Sequence, residues 1–273
     1  GNAVGMALAE KILSAKFNQA DGLNPIDHYT YTFLGDGCLM EGISHEVCSF
    51  AGTHKLGKLI CFYDQNGISI DGEITNWFTD NTAQRFSSYN WQVLEVDGHN
   101  LEQILEAIKN AQEESNQPTL ICCKTEIGFG SPNKAGTSGV HGSPLGEEEI
   151  AKTRNQLGWE YEPFDIPANI KSQWDARESG SKLNSDWDML MKEYSKIHPE
   201  LFKELERLIN NELPNDFEKR YEEFIEELVT GDQKDLATRK ASEICLNFFC
   251  ELLPELVGGS ADLTGSNNTY SSA

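Results

Sequence analysis

Short apolar runs alternate with helical stretches along the first half of the chain, and this order constrains the fold more than any other feature. Residues 29–34, 59–63, 91–96 and 119–125 are rich in β-branched and aromatic side chains and read as strands. Residues 1–17, 41–56 and 101–114 read as helices, and in the last of these Leu101, Ile104, Leu105 and Ile108 recur at helical spacing. A run such as Leu59-Ile60-Cys61-Phe62 is apolar throughout, as strands are when both faces of a sheet are covered. The expected class is therefore α/β, a mostly parallel sheet with helices on both faces.

Two polar punctuations sit at the ends of the first two strands: Gly35-Asp36-Gly37, and Gln65-Asn66-Gly67. The interval between them fits a strand, a helix and a strand. A right-handed crossover brings the carboxyl ends of both strands to the same sheet edge, where open α/β sheets bind ligands. One carboxylate (Asp36) and one amide carbonyl (Asn66) are hard oxygen donors, suited to Mg²⁺ or Ca²⁺. Glycines on either side of Asp36 let a phosphate approach the backbone, and the start of the following helix favours an anion. The expected ligand is a metal-bound diphosphate. Alone, Gly-Asp-Gly would read as a capping turn; the spacing to Asn66 and the strand context favour the site.

Composition narrows the function classes. The net charge is −22, so the chain lacks the basic stripe that a phosphate backbone or an anionic membrane requires. No apolar run approaches the ~18 residues of a membrane span. The seven cysteines are odd in number, contain no C-x-x-C, and lie mostly in apolar runs, which points to buried thiols in a reducing, cytoplasmic setting. Residues 128–139 form a long glycine-rich loop, of the kind that in compact domains is usually functional or disordered. Residues 145–230 are polar and helical, and a further helix (237–252) and strand (256–259) follow. Both ends read as cut, so the expectation is an internal piece of a longer protein. The expected organisation is a domain over 1–203, a helical linker over 204–234 and the start of a second α/β domain over 235–273.

Longer strings carry a resemblance. Gly35-Asp36-Gly37-Cys38-Leu39-Met40-Glu41-Gly42-Ile43-Ser44-His45-Glu46 resembles the transketolase family, and so does Asp64-Gln65-Asn66-Gly67-Ile68-Ser69-Ile70-Asp71-Gly72. Gly130-Ser131-Pro132-Asn133-Lys134-Ala135-Gly136-Thr137, His141-Gly142 with Pro144-Leu145-Gly146, Leu157-Gly158-Trp159 and Gly259-Ser260-Ala261-Asp262-Leu263 extend it over essentially the whole chain. The Gly-Asp-Gly signature belongs to thiamine-diphosphate enzymes at large; the longer strings resemble transketolase within them.

The resemblance implies a three-layer thiamine-diphosphate-binding fold over 1–203 and the start of the pyrimidine-binding domain over 235–273. It implies transfer of a two-carbon ketol unit from a ketose phosphate to an aldose phosphate in the pentose phosphate pathway. It implies a homodimer with active sites at the subunit interface. Asp36, Asn66 and the backbone carbonyl of Ile68 match the positions that hold Mg²⁺ or Ca²⁺. Gly37 and Asn66 match those that contact the diphosphate. His141 matches a histidine beside cofactor and substrate that helps move protons. Arg239 and Ser266 match residues that bind the substrate phosphate, a role suited to an arginine fork. Glu41 matches an interface glutamate, and Asp262 falls near the cofactor. The pattern departs at Gln65-Asn66, where an Asn-Asn pair is common, and the family's upstream histidines and cofactor-activating glutamate are missing, so the piece alone is expected to be inactive. Dihydroxyacetone synthase shares the signature, and acceptor preference separates the two. His45 reads as structural, His99 as part of a strand-end turn, and Trp77, Phe78 and Trp91 as packing residues.

Overall fold

The computed structural model describes residues 1–231 and 236–271. The chain forms two compact units, Gly1–Trp187 and Asp188–Ala273. In chain order the elements are α1 (Asn2–Phe17), β1 (Thr30–Gly35), α2 (Asp36–Met40), α3 (Gly42–Thr53), β2 (Leu59–Gln65), β3 (Ile68–Ser69), β4 (Gly72–Glu73), α4 (Thr82–Ser88), β5 (Gln92–Asp97), α5 (Leu101–Glu113), β6 (Thr119–Lys124), α6 (Glu147–Gln156), α7 (Ala168–Trp174), α8 (Arg177–Ile197), α9 (Pro199–Ile209), α10 (Phe217–Thr230), α11 (Thr238–Leu252) and α12 (Thr264–Asn267). The unit boundary falls within α8. The expected domain limit at 203/204 lies inside α9, and the one at 234/235 lies outside the described residues.

Four parallel strands build the sheet of the first unit, in the order β1-β2-β6-β5. The register sets Gly35 beside Asp64, Gln65 beside Lys124, and Lys124 beside Asp97, so the strand ends share one edge. Alternate residues of β2 and β6 face opposite sides. Leu59, Cys61, Tyr63, Leu120 and Cys122 join Val4, Ala7, Leu39, Ala51, Leu56, Phe86 and Trp91 in one core. Ile60, Phe62, Ile121 and Cys123 pack against Ala107 and Ala111 of α5 in the other. The doubly covered α/β sheet read from the sequence is thus present. Its buried thiols are poor nucleophiles: burial pushes Cys122 up to about 12.

Some local expectations change. The helix expected over 41–56 is preceded by a separate turn of helix at Asp36–Met40, and the chain breaks at Glu41, whose ψ of 131° is extended. On α5 the inward face is Ile104, Ala107, Ile108 and Ala111, while Leu101 and Leu105 turn to solvent, because i and i+4 residues share a stripe and theirs lies on the helix flank. Trp77 is 50% exposed and so is not a packing residue, unlike Trp91. In the second unit, residues 256–259 are not a strand: among its described residues there is no other strand to accept the ladder bonds. This unit is held by helices. Phe224 stacks on Phe248 with ring centroids 4.0 Å apart, and Arg207 bridges Glu204 and Glu255.

Candidate functional site

Asp36 directly follows β1 at the sheet edge, as the first residue of α2, and is only 2% exposed. Its Oδ1 accepts the hydroxyl of Tyr63, which comes from the adjacent strand β2, and its Oδ2 accepts the Gly67 N–H at 3.0 Å. Both donors are neutral, and among the described residues no cationic side chain pairs with this carboxylate. A carboxylate taken out of water without a counter-charge is costly, so the geometry leaves room for a metal ion's charge. Burial, and then the neighbouring Asp36, push the Tyr63 phenol above its ordinary value, so it remains a donor.

Asn66 lies just past the end of β2. Its Oδ1 accepts the Ile68 N–H at 2.9 Å, keeping a second lone pair, and its Nδ2 donates to Asp64 Oδ2 at 3.2 Å. Asp64 in turn accepts the Thr125 hydroxyl from the end of β6. Gly67 has φ +72°, a left-handed conformation that turns its N–H toward Asp36. Ile68, buried, opens the small β3–β4 hairpin. A cleft of ≈ 1150 Å³ opens here, with walls that include Asp36, Tyr63, Asn66, Gly67, Thr125 and Glu126. A Cβ built on Gly35 or Gly37 would touch nothing within 4 Å, so the backbone there faces open space. Among the described residues no three His, Cys, Asp or Glu side chains converge on a metal position. A cation at Asp36 would therefore draw on one carboxylate, amide and backbone oxygens, and oxygens from a ligand, a donor set that fits Mg²⁺ or Ca²⁺ bound to a diphosphate.

His141 is exposed and is not part of the cleft lining. It follows the 3₁₀ turn Ser138–Val140, and its N–H donates to Ser138 O. The loop before it returns to the end of β6: Gly136 N–H donates to Ile127 O at 2.8 Å, and Val140 packs over Gly128. Arg239, in the first turn of α11, and Ser266, in α12, are both exposed and belong to the second unit.

Sequence reading missed Tyr63, Asp64, Thr125 and Glu126. Tyr63 hides in an apolar run; its phenol at the last buried position before Asp64 was the available signal. His99 was read as a turn residue, and its N–H does donate to Asp97 Oδ1. Its Nε2 also accepts the Glu126 N–H at 3.0 Å, and its ring stacks on Phe129. His45 is held between the Tyr89 hydroxyl (3.0 Å) and Arg85 Nη1 (3.2 Å).

Comparison with known proteins adds to this geometry. Residues 1–214 match the family described as "Transketolase, thiamine diphosphate binding domain". The chain is 56% identical over 269 residues to Transketolase 2 of Escherichia coli (strain K12), covering 98% of this chain and 40% of that protein. Among solved structures, a Pichia stipitis transketolase in complex with sedoheptulose 7-phosphate superposes with a TM-score of 0.89 at 40% identity, covering 99% of this chain and 40% of that one. Transketolase from Campylobacter jejuni gives 0.82 at 37% identity, covering 98% and 40%. The chain thus spans about two-fifths of the length of these relatives.

Proposed function

Because the chain belongs to the transketolase family, we propose that it is part of an enzyme that moves a two-carbon ketol unit from a ketose phosphate to an aldose phosphate, as in the pentose phosphate pathway. The observation that carries this reading is Asp36: a buried carboxylate with neutral donors only, beside Asn66 on the sheet edge, with open backbone at Gly37 next to it.

Thiamine diphosphate, when bound, supplies a carbon nucleophile and an electron sink for cleaving a carbon–carbon bond. Asp36, Asn66 and the Ile68 carbonyl would hold Mg²⁺ or Ca²⁺ against the diphosphate, and Gly37 and Asn66 would contact the diphosphate itself. Tyr63 and the Gly67 N–H aim the Asp36 oxygens, and Asp64 fixes the amide of Asn66. His141 would bind the sugar and exchange a proton between its ring nitrogen and a sugar hydroxyl. Arg239 and Ser266 would take the substrate phosphate. The reading includes a homodimer with active sites between subunits, a cytoplasmic setting, and an inactive 273-residue piece. Among the described residues no helix is long and apolar enough to cross a membrane.

The test uses the full-length gene product stripped of cofactor. Transfer from xylulose 5-phosphate to ribose 5-phosphate is followed with and without thiamine diphosphate and Mg²⁺, alongside Asp36→Ala. The expected result is cofactor-dependent sedoheptulose 7-phosphate, lost in the variant. Donor consumption with formaldehyde but not with ribose 5-phosphate would move the assignment to dihydroxyacetone synthase. Robust turnover by residues 1–273 alone would overturn the inactivity.

A further inference from the structure

We propose that Glu149 is a positioning residue that locks the glycine-rich loop onto α6 and so sets the place of His141. The inference rests on the role given to His141 above. Glu149 is the third residue of α6, and only 7% of it is exposed. A glutamate at this position usually reaches back to the backbone at its own helix start. Here both carboxylate oxygens turn to the loop. Oε1 accepts the Ser131 hydroxyl at 2.5 Å and the Asn133 N–H at 2.8 Å, and Oε2 accepts Asn133 Nδ2–H at 2.9 Å. The hydrogen bonds from the Asn133 side chain, Ser131 and the Asn133 backbone hold the carboxyl down at about 2. It is ionised across the working pH range, and bonds to an ionised acceptor are the strong ones.

The clamp reaches His141 through the loop's own ties. Ser131 is itself buried, and its Oγ accepts the Lys134 N–H at 3.2 Å. Lys134 Nζ donates to Leu145 O at 2.7 Å, closing the segment that carries His141 at both ends. A Cβ on Gly130 would lie 2.6 Å from Leu157 Cδ2, so the loop rests against the end of α6. The bond from Gly136 to Ile127 fixes the same segment to the chain just past β6. Release of Glu149 would remove the hydrogen bonds that tie the loop to α6 and leave it held by the Gly130–Leu157 contact, the Lys134–Leu145 bond and the Gly136–Ile127 bond.

The test is hydrogen exchange on the full-length gene product, comparing unaltered protein with Glu149→Ala, Glu149→Gln and Asn133→Ala. Removing bonds to a charged acceptor should speed exchange of the amides of residues 131–141 by about tenfold in Glu149→Ala, with β2 and β6 unchanged. Unchanged loop exchange would overturn the clamp. Should Glu149→Ala lose protection in β2 and β6 as well, Asn133→Ala decides, because it deletes one loop bond and leaves α6 intact. A second arm combines Glu149→Gln with His141→Ala. A misplaced catalytic group can cost up to about 100-fold, so Glu149→Gln should lower kcat by roughly tenfold, leave the KM for thiamine diphosphate unchanged, and add no loss in the His141→Ala background. Additive losses would show that Glu149 does not act through His141, and would sink the positioning role. If the unaltered protein transfers no ketol units, the reading of the reaction fails, and the exchange result still settles the clamp.

Discussion

Replacing Gly52 by alanine sets two effects of opposite sign against each other. Gly52 lies in the last turn of α3, where helix propensity alone favours alanine by up to ~1 kcal/mol. The packing says otherwise. A Cβ at Gly52 would sit 1.7 Å from Tyr89 O, 2.9 Å from Tyr89 C and 3.2 Å from Trp91 Cδ1. Ordinary contact begins at 3.4 Å, so a gap of 1.7 Å has to be opened between two stretches of backbone. Opening it pulls α3 away from the segment that carries Trp91. That threatens the Trp91 Nε1–H bond to Cys48 O (2.8 Å) and the edge-to-face pair of Phe86 and Trp91. Overpacking costs ~1–3 kcal/mol and a lost hydrogen bond ~1 kcal/mol, so after the propensity gain of up to ~1 kcal/mol the variant should be destabilised by about 1–3 kcal/mol. That is a large share of the ~5–15 kcal/mol typical of a domain. Urea unfolding followed by tryptophan fluorescence reads it as a lower midpoint with an unchanged slope. Gly5→Ala is the control: Gly5 is exposed in α1 with nothing within 4 Å of its Cβ position, and it should gain ~0.5–1 kcal/mol. A Gly52→Ala variant as stable as the parent, or more so, refutes the packing argument.

Leu120 is fully buried in β6, so Leu120→Ala should cost ~2–5 kcal/mol by the same unfolding assay. Changes around a metal's outer shell already weaken its binding by ~10–100-fold, so Asp36→Asn, which alters a proposed ligand, should reach the top of that range or exceed it; calorimetric titration with Mg²⁺ and thiamine diphosphate checks this, and an unchanged Kd refutes it. The Glu149 carboxyl is lowered from 4.5 to about 2. Its stabilisation of the loop is therefore complete above its ordinary value and lost as pH falls through about 2. Exchange of the 131–141 amides should accelerate across that acid window in the parent and show no such step in Glu149→Gln.

The sheet was legible because both of its faces are covered. Two-sided burial turns Leu59-Ile60-Cys61-Phe62 and Leu120-Ile121-Cys122-Cys123 into unbroken apolar runs that need no knowledge of the neighbours. What depends on neighbours was not legible. Residues 256–259 have strand composition, but a strand is a pairing, and their unit holds no partner for it among its described residues. In α1 Val4 and Ala7 face the core, while Gly5 and Ala9, equally small, are exposed. The phase of a helix of small residues is set by what it lies on rather than by its own pattern.

The same division runs through the site. The pairing of Asp36 with the Asn66 region followed from chain order, because a right-handed crossover has to deliver consecutive parallel strand ends to one edge. The register of Gly35 with Asp64 then makes Tyr63 the neighbour whose hydroxyl reaches Asp36, a contact no local pattern announces because Tyr63 sits among apolar residues. Glu149 was harder still. In sequence it stands in an acidic helix start, Glu147-Glu148-Glu149, where all three carboxylates read alike. Only the return of the loop over α6 separates them: Glu149 is buried on Ser131 and Asn133, while Glu148 reaches Lys152 in solvent. If that burial were merely a packing accident, Glu149→Gln, which keeps the shape and removes the charge, would leave loop exchange as it is. If the charge holds the loop, exchange rises although no atom of the packing has been removed.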